Sequence, residues 1–149
     1  MKNTCIEVSI YSEKLHKLFL DIVREELEAI EVSDISSAQA LTIINIGTNS
    51  VTIGELTSRG YYTGSNASYN VKKMAANGYL VQEPSERDKR ACYIKLSEKG
   101  LDLYSKLETG LRKYTNAFKR KDSEEENHLE KCIENMKKID IIWKSILSE

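Results

Sequence analysis

Two pairs of residues constrain this chain more than any others: Ser36 with Gln39, and Thr52 with Glu55. Each sets a hydroxyl three positions ahead of a Gln or Glu, at the head of a helical stretch. The hydroxyl can accept from the third helical N–H while the longer side chain reaches back to the cap's own N–H, so each pair predicts a helix start. The first helix reads "SAQALTIINIGT", ended by Gly47 and Asn49; it is apolar on several sides and belongs deep in a core. The second is the short "IGELTSRG", stopped by Gly60. A third, "GSNASYNVKKMAANG", follows within a few residues, with Ala67, Val71, Met74 and Ala75 on one side and Gly78 as its stop. Two short helices joined by a brief glycine-bearing turn predict a helix-turn-helix.

The hydrophobic period then changes. "YLVQEP" reads as a strand ended by Pro84, and after a charged loop "ACYIKLS" alternates, with Cys92, Ile94 and Leu96 inward and Ala91, Tyr93 and Lys95 outward. A hairpin after a helix-turn-helix is the order of a winged helix. Residues 5–30 read as a long amphipathic helix through Val8, Tyr11, Leu15, Leu18, Phe19, Ile22, Val23 and Leu27. Ser97 caps another, marked by Leu101, Tyr104, Leu107, Leu111, Tyr114 and Phe118. The last helix carries Leu129, Cys132, Met136, Ile139, Trp143 and Ile146 in alternating steps of three and four, a seam that wants a partner helix. The expected fold class is mainly α with a small β-wing. A winged helix-turn-helix core over 35–100 is flanked by N- and C-terminal dimerisation helices, 1–34 and 101–149, forming one layer.

Composition enters through its distribution. The net charge of −1 conceals a middle segment, residues 50–100, with eight Lys/Arg against five Asp/Glu, behind a first segment, 1–49, with four against eight. A basic middle in an acidic-to-neutral frame is a local electrostatic footprint. The longest apolar run, Ala40 to Ile46, is broken by Thr42 and Asn45, which argues against a membrane span, and Glu7 and Glu13 interrupt any signal-peptide layout; the expected location is the cytoplasm. Cys5, Cys92 and Cys132 stand in no metal-type spacing; Cys92 and Cys132 are expected as small buried or half-buried hydrophobes. No HExxH or Ser-His-Asp arrangement suggests itself, so neither catalysis nor a cofactor or metal is expected.

On the helix over 64–78, turning about 100° per residue, Ser65, Asn66, Tyr69, Lys72 and Lys73 stand opposite the apolar side. Short hydrogen-bonding groups at the N-terminal turn suit base edges, and the lysines and hydroxyl suit phosphates, so this face is expected to enter a DNA major groove. An ordinary solvated helix face is the competing reading; the capped helix before it and the basic hairpin after it favour DNA. In the hairpin loop, Arg87, Lys89 and Arg90 are placed to reach an adjacent minor groove. Asp88 would repel DNA unless it orients a neighbouring arginine, so Asp88 is assigned that role and Arg90 insertion.

The run "DKRACYIKLSEKG" matches the wing pattern D-x-R-x-x-x-[VI]-x-L-[ST]-x-x-G through Asp88, Arg90, Ile94, Leu96, Ser97 and Gly100. With "VTIGELTSRG" and "SNASYNVKKMAANGYL" it resembles the MarR family of winged-helix regulators, and "GYYTGSNASYNVKKM" is similar to the branch regulating L,D-transpeptidase genes. Asn66 and Tyr69 depart from the family's usual Ser-Thr-x-Thr-Arg run, so base preference is not carried over. The resemblance implies a homodimer on pseudo-palindromic double-stranded DNA, usually repression, and a small aromatic or amphipathic effector. Such effectors bind between the dimerisation helices and the winged helix, where His16, Phe19, Thr42 and Asn45 would line a pocket. For Thr42 and Asn45 the alternative is hydrogen bonding within the fold. Two other functions stay open: a winged-helix protein-interaction module without DNA binding, and thiol-based redox sensing through Cys5.

Overall fold

The computed structural model describes residues 3–59, 64–86, 91–119 and 123–148. In chain order the elements are α1 Thr4–Ala29, α2 Ser37–Ile46, β1 Val51–Thr52, α3 Ile53–Ser58, α4 Gly64–Ala76, β2 Leu80–Pro84, β3 Cys92–Leu96, α5 Glu98–Lys119 and α6 Ser123–Leu147. The chain divides into two compact units, Met1–Gly110 and Leu111–Glu149.

Both capping boxes close as their spacing predicts. The Gln39 N–H donates to Ser36 Oγ at 3.2 Å while the Ser36 N–H donates to Gln39 Oε1 at 3.0 Å. At α3 the Glu55 N–H donates to Thr52 Oγ1 at 3.1 Å and the Thr52 N–H to Glu55 Oε2 at 2.6 Å. Those Thr52 donors, the backbone N–H first, hold the Glu55 carboxyl below its ordinary range. Ser97 caps α5 through its Oγ, which accepts from the Gly100 N–H at 3.1 Å. Glycine is required at 100: a Cβ there would run into the Tyr79 carbonyl oxygen.

The sheet is antiparallel in the order β1-β3-β2. In the hairpin Leu80 faces Leu96, Gln82 faces Ile94 and Pro84 faces Cys92. Ile94 and Leu96 are buried and Cys92 is half-buried, so the alternation expected of this strand holds. The sequence reading missed β1: Val51 pairs with Ile94 and Thr52 with Tyr93, just before Thr52 turns to cap α3.

One core joins these pieces. Val23 and Leu27 of α1, Ile43 and Ile46 of α2, Leu56 of α3, Val71 and Met74 of α4, Ile94 of β3 and Leu107 of α5 all bury in one cluster. Fully burying side chains of this size contributes about 1.5–3 kcal/mol each, so the cluster fixes where α4 lies. On α5 the inward face differs from expectation: Leu103 and Leu107 are buried while Leu101 is exposed. Leu101 lies two residues from Leu103, about 200° around the helix, and so faces away. Farther along, a Cβ at Gly110 would meet the Glu26 carboxylate of α1.

The outer part of α1 exposes Ile6, Ile10, Tyr11, Leu15 and Leu18. In the second unit, α6 exposes Leu129, Met136, Trp143 and Ile146 of the expected seam, and Ile133 and Ile142 beside it. Cys132 is exposed there too, not buried as expected: it lies on the same apolar stripe as these exposed side chains. Among the described residues no helix is long and apolar enough to cross a membrane.

Candidate nucleic-acid interface

Helix α4 is the second helix of the helix-turn-helix, and its inward face is as the spacing predicts: Ala67, Val71 and Met74 are buried and Ala75 partly so. The opposite face puts Asn66, Tyr69, Lys72 and Lys73 in solvent, with Tyr69 at 65% exposure. An aromatic of that size gains nothing from the fold in such a place. Lys95 and Lys99 each meet a carboxylate, Glu83 and Asp34. Among the described residues, Lys72 and Lys73 make no ion pair, so their charge is free to act on a polyanion. Ser65 lies in the first turn of α4 by its backbone; its side chain lies outside the described residues.

The hairpin carries the other assigned group. Past Pro84 and Cys92, the Ser85 N–H donates to the Ala91 carbonyl at 2.9 Å. Arg87, Asp88, Lys89 and Arg90, the residues assigned to the wing tip, lie outside the described residues.

Two sets of side-chain bonds hold α4, one past its C-terminal end and one at its middle. At the C-terminal end Gly78, with φ of 82°, closes the helix as Tyr79 N donates to the Met74 carbonyl and Gly78 N to that of Ala75, each at 2.9 Å. The following turn is tied to α5 and to the α1–α2 linker. Tyr79 Oη donates to Asp34 Oδ1 at 2.5 Å, and Lys99 Nζ donates to Asp34 Oδ2 at 3.0 Å and to the Asn77 carbonyl at 2.8 Å. Asn77 Nδ2 donates to the Asp34 carbonyl at 2.7 Å, and Ser97 Oγ to that of Gly78 at 2.5 Å. Lys99 Nζ also lies 4.0 Å from the centre of the Tyr79 ring. The Tyr79 hydroxyl, ahead of Lys99, holds the Asp34 carboxyl below its ordinary range. Burial, then the bond to Asp34, pushes the Tyr79 hydroxyl up; the Asp34 bond pushes the Lys99 ammonium up. Nearer the start of α4, Gln39 Nε2 donates to Asn70 Oδ1 at 3.0 Å, and Asn70 Nδ2 to the Asn66 carbonyl at 2.8 Å.

Sequence reading named none of Asp34, Gln39, Asn70, Tyr79 or Lys99 for these roles. One signal was present: a buried tyrosine needs a partner for its hydroxyl. The four residues proposed for an effector pocket are dispersed in character. His16 is exposed on α1, and Phe19 packs at the edge of the core. Thr42 is buried with Oγ1 donating to the Ala38 carbonyl at 3.2 Å, and Asn45 Nδ2 donates to the Leu41 carbonyl at 2.8 Å. Cys5 is exposed on α1.

Comparison with known proteins matches this architecture. The profile described as MarR family fits residues 33–91, which span α2 to the end of the wing loop. The exopolysaccharide II synthesis transcriptional activator ExpG of Rhizobium meliloti (strain 1021) is 35% identical over 140 residues, covering 94% of this chain and 72% of that protein. The chain belongs to the MarR family. Among solved MarR-like structures, Streptococcus pneumoniae FabT in complex with DNA superposes with a TM-score of 0.68 at 20% identity, covering 89% of this chain and 96% of that one. A MarR variant from E. coli complexed with operator DNA gives 0.68 at 18% identity, covering 90% and 96%. These two likenesses show the winged-helix fold. As a MarR-family protein the chain is a transcriptional regulator and not an enzyme.

Proposed function

We propose that a homodimer of this chain binds a pseudo-palindromic DNA site, with α4 of each copy in a major groove and the wing loop over the adjacent minor groove. The single observation that carries this reading is the outward face of α4. It combines an exposed amide, an exposed tyrosine and two cations without ion pairs among the described residues, on a helix the core holds in place. The FabT and MarR structures, solved with DNA, support the same use of the fold. The exposed apolar stripes of α1 and α6 support a second copy, which sets two recognition helices about 34 Å apart on successive grooves. Thr42 and Asn45 give side-chain donors to their own helix, the hydrogen bonding within the fold that was the alternative to lining an effector pocket.

Repression is what the family resemblance implies, yet the relative at 35% identity is named an activator. The sign of control follows from where the bound dimer sits relative to the polymerase, and a promoter fusion in a strain lacking the gene reads it directly.

Binding itself is tested by selecting genomic duplexes on the protein and measuring fluorescence anisotropy across a salt series. Lys72→Ala and Lys73→Ala should each weaken binding to every sequence and lower the salt slope by about one. Arg90→Ala should weaken binding to the selected site. A folded dimer that selects no duplex would point to the protein-interaction reading.

A further inference from the structure

Gln39 serves two partners at once, and the pattern leaves no freedom in how. Its Oε1 accepts from the Ser36 N–H at 3.0 Å, so only Nε2 remains to donate, and it does so to Asn70 Oδ1 at 3.0 Å. Asn70 must then present Nδ2 elsewhere, and it donates to the Asn66 carbonyl at 2.8 Å. A backbone N–H fixes the polarity at one end and a backbone carbonyl at the other. Neither amide can flip without losing a bond at both its ends.

We propose that Gln39 and Asn70 are positioning residues for DNA reading: their amide bridge sets the rotation of α4 about its own axis and so the direction in which Asn66 and Tyr69 face the groove. This rests on the reading of α4 as the recognition helix. The apolar contacts of Ala67, Val71 and Met74 hold α4 against the core, but apolar burial is non-directional and tolerates rotation. A hydrogen bond prefers a narrow range of angles. Gln39 is 3% exposed, so a helix rotated away from it strands a buried amide, which costs more than the net worth of the bond. Asn70 sits one turn from Asn66 and three residues from Lys73, on the flank of the outward face. With both polar atoms of its side chain engaged inside the protein, it is a support for the reading face and not a reader.

The test uses the full chain, its selected operator and an unrelated duplex, with the two affinities compared at each point of one salt series. Gln39→Glu keeps the acceptor for Ser36 and removes the donor to Asn70; Asn70→Ala removes the other end. Each should lower the ratio of operator to unrelated affinity about threefold to tenfold. The double variant should lose no more than either single one, and the salt slope should stay that of the wild type because Lys72 and Lys73 are untouched. Ser36→Ala is the control: it weakens the start of α2 but leaves the bridge, and should lower thermal stability without moving the ratio. An unchanged ratio in both single variants, additive losses, or an equal loss in Ser36→Ala would overturn the proposal. A wild type with no preference for any duplex would overturn the DNA reading, and the proposal with it.

Discussion

Tyr79, Lys99 and Asp34 share one cluster, and pH acts on them from opposite ends. Asp34 is held low, so its contribution to stability is present above the ordinary carboxylate value, about 3.9, and is lost as pH falls through the lowered value. Tyr79 and Lys99 are held high, so theirs is present below their ordinary values and lost as pH rises through the raised ones. The Tyr79 hydroxyl bond is the largest single cause of the lowered Asp34 carboxyl, and Lys99 lowers it too, through its hydrogen bond and through its charge. Tyr79→Phe and Lys99→Met should therefore each flatten the acid limb of a plot of denaturation midpoint against pH. Glu55, also held low by its cap, adds to the same limb in all variants and drops out of the difference. An acid limb unchanged in either variant would remove that partner from the account. None of this cluster was legible in the sequence. Tyr79 and Lys99 lie 45 and 65 residues from Asp34, and Asn70 lies 31 from Gln39. Spacing carries no information at that range.

Elements were more legible, because their signals are local. Both capping boxes, the Gly78 stop and the alternation of β3 were readable from residues within one or two turns of each other. The two-residue β1 was not, since Val51 and Thr52 form a strand only through Ile94 and Tyr93, far along the chain. The two helix ends closed by the same motif invite a comparison. At α1, Val32 N donates to the Leu27 carbonyl and Glu31 N to that of Glu28, the pattern seen after α4, yet the left-handed position holds Glu31 at φ 58° where α4 has Gly78. A side chain in that conformation costs about 1 kcal/mol. Glu31→Gly should therefore raise stability by about that amount in chemical denaturation, while Gly78→Ala should lower it by at least as much. Equal and opposite failure of the two would mean that neighbouring contacts, not backbone conformation, decide at these ends.

For the whole molecule, the exposed apolar stripes of α1 and α6 are too extended to be chance. They comprise Ile6, Ile10, Leu15 and Leu18 on one helix and Ile133, Ile142, Trp143 and Ile146 on the other. The heptad-like steps of α6 were visible in the sequence, and the proposed dimer is the natural cover for them. Ile142→Glu should weaken self-association in analytical ultracentrifugation by at least about thirtyfold and abolish operator binding, leaving the helical circular dichroism intact. An unaltered sedimentation coefficient would remove α6 from the interface. The winged-helix class was legible because it is a succession of local signals; the supports of α4 were not, because each joins distant segments. The hairpin register has a last consequence, for the gene. A single codon inserted between Cys92 and Leu96 would turn one or both of Ile94 and Leu96 outward and break the pairing with β1 and β2 together. Variation in length among descendants of this gene is therefore kept out of β3, which both its neighbours hold to a single register.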